Sequence, residues 1–192
     1  NIAHAQLLGT RLLRHTQVTR FQIHKHRIQK VIVRNHVTGQ DETIEPEIVV
    51  NASGAWAAQI AALADCSIKM VYSKGSLLVT QERVSRRVVN RLRLATNGDI
   101  VVPGGTVSIL GTTSERTESP DAIYPKIHEV DHIIEEGAAM MPILASTRYI
   151  RAYCGVRPLI SSSGGGRDDR SVSRGFALID HNEEPRPVRN FI

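Results

Sequence analysis

The sequence predicts a mixed α/β (α+β) chain, with an α/β part in its first third and an antiparallel or mixed sheet through its middle. Three observations carry this. EIVVNA runs as a strand into Ser53-Gly54 and then into a helical repeat of Trp56, Ile60 and Leu63, the strand, glycine, helix order of α/β proteins. From Ile68 to Leu110 the β-prone runs IKMVYS, SLLVT, RRVVNRL, DIVVP and TVSILG follow too closely to leave room for crossover helices, so their sheet is antiparallel or mixed. One longer amphipathic helix fits residues 126–140, with Ile127, Val130, Ile133, Ile134 and Ala138 on one face and Pro142 just past its end.

The other elements follow the same logic. Ile2, Ala5, Leu8 and Leu12 fall at helical spacing despite Gly9. QVTRFQI and RIQKVIVRN read as two strands joined by a hairpin at His24-Lys25-His26, and Thr38-Gly39-Gln40 turns the chain again. A short strand near Thr43 precedes Pro46. TRYIRAYCGVRPLI is a strand, SSSGGGRDDR a polar loop, and SRGFALIDH a further strand. No internal repeat is present.

At 192 residues the chain can bury a full core. It has no initiating Met and ends on Asn190-Phe191-Ile192, and is expected to be a piece of a longer protein. The net charge of +5 is concentrated locally: residues 1–40 carry seven Lys/Arg and no acid, and Arg83, Arg86, Arg87, Arg91 and Arg93 have only Glu82 beside them. Solvated faces account for such runs most simply, with a partner subunit or anionic lipid as alternatives; nucleic acid is disfavoured because no aromatics are interleaved with the charges. Cys66 and Cys154 fit no metal spacing and read as free thiols in a reducing compartment. No apolar run approaches the roughly 20 residues of a membrane span, so membrane attachment is expected to be peripheral or through another chain. The eight histidines form no metal pattern, and no metal site is expected.

Four stretches could carry chemistry. In VVNASGAW the small residues Ala52, Ser53 and Gly54 at a strand-to-helix crossing either let a large ligand approach the backbone or simply pack tightly. Arg157 sits between Val156 and Pro158, which holds it extended; its guanidinium offers a rigid donor fork to phosphate or carboxylate, or to a nearby acidic side chain. Lys74 precedes Gly75 between two β-prone runs, and Thr112 and Thr113 stand at a strand end, where they could contact a ligand or cap a turn. Gly164-Gly165-Gly166 follows no apolar strand and reads as a surface loop rather than a phosphate cradle.

Taken in order, RNHVTGQ, VVNASGAW, YSKGSLL, DIVVPGGTVSILGTTS, RAYCGVRPLI and SVSRGFALIDH resemble the FAD-dependent glycerol-3-phosphate dehydrogenases, most nearly the large catalytic subunit of the bacterial anaerobic enzymes. The resemblance covers nearly the whole chain. It implies a fragment of a D-amino-acid-oxidase-like, Rossmann-type FAD-binding fold with an antiparallel or mixed substrate sheet. Residues 1–66 would be part of the FAD domain, 67–160 the substrate domain, and 161–192 a loop and strand returning toward the FAD domain. It further implies oxidation of sn-glycerol 3-phosphate to dihydroxyacetone phosphate, with electrons passing through partner subunits toward quinone, at the cytoplasmic face of the cell membrane. Ala52, Ser53 and Gly54 would lie beside FAD, Ser53 being a departure from the family's usual alanine. Arg157 would clamp the substrate with Thr112 and Thr113, and Arg157, Lys74 and Thr113 are the implied catalytic positions. The family's glycine-rich FAD motif would precede Asn1 and its late Thr-Gly-Gly-Lys segment would follow Ile192. The alternative readings are a related amino- or hydroxy-acid oxidase and a non-catalytic scaffold of the same fold.

Overall fold

The computed structural model describes residues 1–93, 97–121, 123–160, 175 and 177–192. The chain divides into two compact units, one of residues 1–68 with 176–192 and one of residues 69–175. The first carries a short helix α1 (Ile2–Leu7), strands β1 (Thr16–His24), β2 (Arg27–Asn35) and β3 (Asp41–Ile44), and a 3-10 turn at Gly54–Trp56 leading into α2 (Ala57–Ala62). The strands form an antiparallel sheet in the order β1-β2-β3. At the first hairpin Lys25 and His26 both take positive φ, the turn geometry that matches the twist of paired strands. Ile28, Val31 and Val33 of β2 pack with Phe21, Ala61, Ala64, Cys66, Val188 and Phe191 in this unit's core.

The expected strand EIVVNA is reduced to a single parallel bridge, Val49 with Phe191. Among the described residues its ladder partner is the segment at 190–192, through Val49 N to Asn190 O, Ile192 N to Val49 O and Asn51 N to Ile192 O. The Asn190 side chain joins this ladder to β2, accepting from Ile28 N at 2.9 Å and donating to the carbonyls of Ile28 and Glu47. Of the expected strand SRGFALIDH, Ser173, Arg174 and Phe176 lie outside the described residues, as does the polar loop at 161–170; residues 177–180 form no regular element.

Among its described residues the second unit is an antiparallel sheet backed by one α-helix. Its strands are β4 (Met70–Thr80), β5 (Val89–Asn90), β6 (Ile100–Gly104), β7 (Val107–Gly111), β8 (Glu115–Thr117) and β9 (Tyr149–Ile160); the helix is α3 (Ile127–Met140). Strand order is β5-β6-β7-β4-β8, with β9 along the other edge of β4. IKMVYS and SLLVT, which read as separate runs, form one strand because β9 pairs with β4 along its whole length, straight through Gly75 opposite Gly155. Since strand residues alternate between faces, this register assigns sides. Ser73, Gly75 and Leu77 share a face with Arg157, Gly155 and Tyr153, while Lys74, Ser76 and Leu78 share the other with Val156, Cys154 and Ala152.

The second of these faces is covered. Leu78, Val101, Leu110, Ile133 and Leu144 form its core, and Gly137 lets α3 approach closely: a Cβ there would lie 2.7 Å from Leu110 Cδ2. Ile127, expected on the buried side of the helix, is 81% exposed. The first turn of α3 instead buries the Glu129 carboxylate, which accepts from Lys126 N at 2.9 Å and caps the helix.

Candidate active site

On the other face of the β4–β9 pair, which is open at Gly155 and Tyr153 among the described residues, the guanidinium of Arg157 lies directly over Gly75. A Cβ on Gly75 would stand 2.5 Å from Nη2, 2.6 Å from Nη1 and 2.8 Å from Cζ, so the space that glycine leaves is the seat of the cation. Across the ladder Gly155 is exposed, with nothing within 4 Å of where its Cβ would be. Arg157 Nη2 donates to Thr112 Oγ1 at 3.1 Å and Nη1 to the Thr113 carbonyl at a long 3.4 Å. Arg157 and the Thr112–Thr113 turn, 44 residues apart, thus meet at one place. β7 and β8 both pair with β4 on the same edge, and the chain bends out between them at this turn.

Beneath the sheet is a buried polar cluster centred on Glu129, whose carboxylate accepts four hydrogen bonds. Oε2 takes Lys74 Nζ at 2.6 Å and Lys126 N at 2.9 Å; Oε1 takes the Ser76 and Thr113 hydroxyls, each at 2.8 Å. Lys74 and Glu129 are 4% and 1% exposed, which makes this a buried ion pair whose remaining lone pairs are satisfied. Burial pushes the Glu129 carboxyl up, but Lys74, the Lys126 amide and the two hydroxyls outweigh it and hold the group at about 2. Burial likewise works to lower the Lys74 ammonium, and Glu129 and Glu115 more than reverse it, so Lys74 titrates above its ordinary range. Ser76 N also donates to Thr113 Oγ1 at 2.8 Å.

The candidate residues of this unit therefore divide between two faces. Arg157 and Thr112 are on the open one. Lys74 is on the covered one, its ammonium held against Glu129. Thr113 reaches both, with its hydroxyl committed to Glu129 and Ser76 and its carbonyl turned to Arg157, so that what it offers the open face is backbone. Glu129 escapes sequence reasoning: a glutamate three residues into a helix signals a cap, and nothing local says that the same carboxylate also binds the side chains of Lys74, Ser76 and Thr113.

In the first unit, Ala52 and Gly54 are exposed at the strand-to-helix crossing. Gly54 has φ +60 with open space around its Cβ position. Asn51 shapes the turn, accepting the Ser53 hydroxyl at 2.6 Å and donating to Ala57 O at 2.9 Å. An exposed backbone with no side chain beyond a methyl or hydroxymethyl group suits contact with a broad planar ligand. The same unit brings together Cys66, His181 and Glu184, whose ligand-type atoms lie within 4.8 Å of one another, a grouping that sequence spacing does not reveal. His181 Nδ1 and Glu184 Oε1 are 2.6 Å apart, and Cys66 Sγ donates to the Ala64 carbonyl at 3.5 Å. Burial, then Glu184 and Asp65, push the Cys66 thiol up to about 11, which keeps it protonated. Cys154, in the other unit, is also a free thiol raised by burial.

A small-residue strand-to-helix crossing in one unit, and in the other an antiparallel sheet that carries an arginine over a glycine, suit an oxidoreductase that binds a planar cofactor. The model of the FAD dependent oxidoreductase family (DAO) matches residues 1–182. The chain belongs to that family, whose cofactor is FAD, and residues 52–54 are compatible with such a group. Among similar proteins, one subunit of the anaerobic glycerol-3-phosphate dehydrogenase of Escherichia coli is 44% identical over 158 residues, covering 80% of this chain and 28% of the relative. Its counterpart in the Haloferax volcanii enzyme of the same name is 37% identical over 191 residues, covering 94% of this chain and 33% of the relative. The chain thus spans about a third or less of the length of these relatives. Among solved structures, glycerol-3-phosphate dehydrogenase from Bacillus halodurans complexed with FAD aligns with a TM-score of 0.67 at 22% identity, over 78% of this chain and 32% of that one. L-proline dehydrogenase from P. horikoshii aligns at 0.68 and 21%, over 84% and 42%; these likenesses show the fold.

Proposed function

We propose that the protein containing this chain oxidises sn-glycerol 3-phosphate to dihydroxyacetone phosphate. The observation that carries the reading is the Arg157 guanidinium, seated over Gly75 beside the Thr112 hydroxyl on the open face of the substrate sheet. A planar, permanently charged donor fork suits a phosphate dianion, and relatives at 44% and 37% identity bear the name of that dehydrogenase.

FAD, when bound, supplies the hydride acceptor for the carbinol C2–H bond as the C2 hydroxyl loses its proton. Ala52, Ser53 and Gly54 are the residues of this chain that would hold it. Arg157 and Thr112 bind the substrate phosphate and so fix C2 at a distance, where a misplacement of about 1 Å costs about 100-fold in rate. Thr113 lends its carbonyl to orient Arg157, and Lys74 supports the floor from beneath. Partner subunits would carry electrons on toward quinone. Those subunits would also hold the protein at the cytoplasmic face of the membrane; no helix among the described residues is long and apolar enough to cross one.

Anaerobic mixing of the full-length flavoprotein with sn-glycerol 3-phosphate should bleach its visible flavin band. An intact flavin that the phosphoester leaves unbleached would overturn the reading, and bleaching by an amino or hydroxy acid instead would make the protein an oxidase of that class. Membrane and soluble fractions of lysed cells, probed with and without a salt wash, test the peripheral location.

A further inference from the structure

We propose that Glu129, on the covered side of the sheet, is a positioning residue for Arg157 and acts through Thr113. The inference rests on the reading of Arg157 as the substrate's phosphate clamp.

Two hydrogen-bonded links join the carboxylate to the guanidinium. Glu129 Oε1 accepts the Thr113 hydroxyl at 2.8 Å, and the carbonyl of the same Thr113 accepts from Arg157 Nη1 at 3.4 Å. Fixing the hydroxyl on the covered face leaves the carbonyl on the other. The Thr113 side chain is held twice over, since its Oγ1 also accepts Ser76 N at 2.8 Å. Thr112, whose Oγ1 accepts Nη2 at 3.1 Å, is the preceding residue of the same turn and moves with it.

Glu129 is equipped for this role in a way that a surface cap is not. It is 1% exposed and its four acceptor sites are filled by groups from three places: Lys74 and Ser76 of β4, Thr113 of the turn, and Lys126 at the head of α3. A carboxylate accepts about four such bonds, and with all filled its oxygens have no freedom to rotate. The turn that steadies the Arg157 cation is thereby referenced to the helix and to the central strand together. If the carboxylate served only to dock α3 on the sheet, its loss would lower stability without altering how the enzyme treats a phosphate.

The test uses full-length holoenzyme and steady-state oxidation of sn-glycerol 3-phosphate, with flavin content measured on every sample. Thr113→Val removes the hydroxyl link and keeps the backbone; Thr113→Ser keeps the link; Glu129→Gln removes the charge. Thr113→Val and Glu129→Gln should each raise KM by about tenfold, the order expected for losing a hydrogen bond to a charged group, at unchanged flavin content, and Thr113→Ser should restore it. Combined with Arg157→Lys, either should add little further loss, because all act on one clamp. Should Glu129→Gln fail to fold with Lys74 left unpaired, Thr113→Val and Thr113→Ser decide alone. Losses that multiply independently with Arg157→Lys, or a wild-type KM in Thr113→Val, would overturn the proposal while leaving the substrate reading intact. A wild-type enzyme that does not oxidise sn-glycerol 3-phosphate would sink both.

Discussion

Gly75→Ala tests the seat of Arg157 most directly. Gly75 does not occupy the left-handed region, so the β4 backbone accepts alanine and the added methyl should aid folding slightly, by about 0.5–1 kcal/mol for leaving glycine in a strand. The methyl would arrive 2.5 Å from Nη2 and 2.6 Å from Nη1, against a comfortable contact of about 3.5 Å. The guanidinium must therefore lift by about 1 Å. Because it is the far end of a flexible side chain, it yields before the strand does. That movement breaks the 3.1 Å and 3.4 Å bonds to Thr112 and Thr113 and shifts the phosphate it holds by a similar amount, which predicts a fall in kcat/KM of about 100-fold. The assay is steady-state oxidation of sn-glycerol 3-phosphate by the full-length flavoprotein, beside its thermal midpoint and flavin content. A Gly75→Ala enzyme with wild-type kcat/KM, or one that loses flavin and stability in proportion to activity, would refute the reasoning.

Other perturbations follow from the same geometry. Arg157→Lys replaces a planar fork by a point charge, and should raise the substrate KM by tenfold or more while leaving FAD affinity unchanged in a flavin titration; equal loss of both would contradict the role. Glu129 titrates at about 2 in the folded chain against an ordinary 4.5, so its stabilisation is complete above 4.5 and disappears as pH falls through about 2. The difference amounts to about 3 kcal/mol, and urea midpoints between pH 5 and 2 should fall more steeply in the wild type than in Glu129→Gln. Lys74 has the opposite sign: its raised pKa gives stability that is present below 10.5 and is lost as pH climbs through the folded value. Gly137→Ala gains about 1 kcal/mol of helix propensity, yet its methyl meets Leu110 Cδ2 at 2.7 Å in a closed core. Overpacking of about 1–3 kcal/mol should win, and a higher thermal midpoint would contradict this.

The sequence makes some of this legible and withholds the rest for identifiable reasons. The β1–β2 hairpin, α3 and the β9 strand ending at Arg157-Pro158 are visible because period, turn and proline signals are local. The EIVVNA strand is overcalled because its apolar run shows β propensity but not how many neighbours will pair with it; Ile48 and Val50 are 61% and 66% exposed. β4 is split in two by the same shortcoming. Gly75 reads as a break, and only pairing with β9, about 80 residues further on, shows that the strand runs through it. Ile127 leaves its expected side and Glu129 is buried because helical periodicity cannot weigh an apolar side chain against a carboxylate with four hydrogen-bond partners waiting.

The short word Lys74-Gly75-Ser76 shows why the candidate site divides as it does. Alternation along β4 sends Lys74 and Ser76 down to Glu129 and leaves Gly75 facing up beneath Arg157. A one-residue slip against β9 would exchange these roles, placing the ammonium under the guanidinium and the glycine over the helix. Two cations would then face each other across a strand pair, while the Glu129 carboxylate would be buried without its counter-ion, a loss of about 3–5 kcal/mol for a broken buried pair. The ion pair and the glycine seat therefore fix one register between them, and the arginine can stand at the open face because the lysine beside its seat is held on the other side.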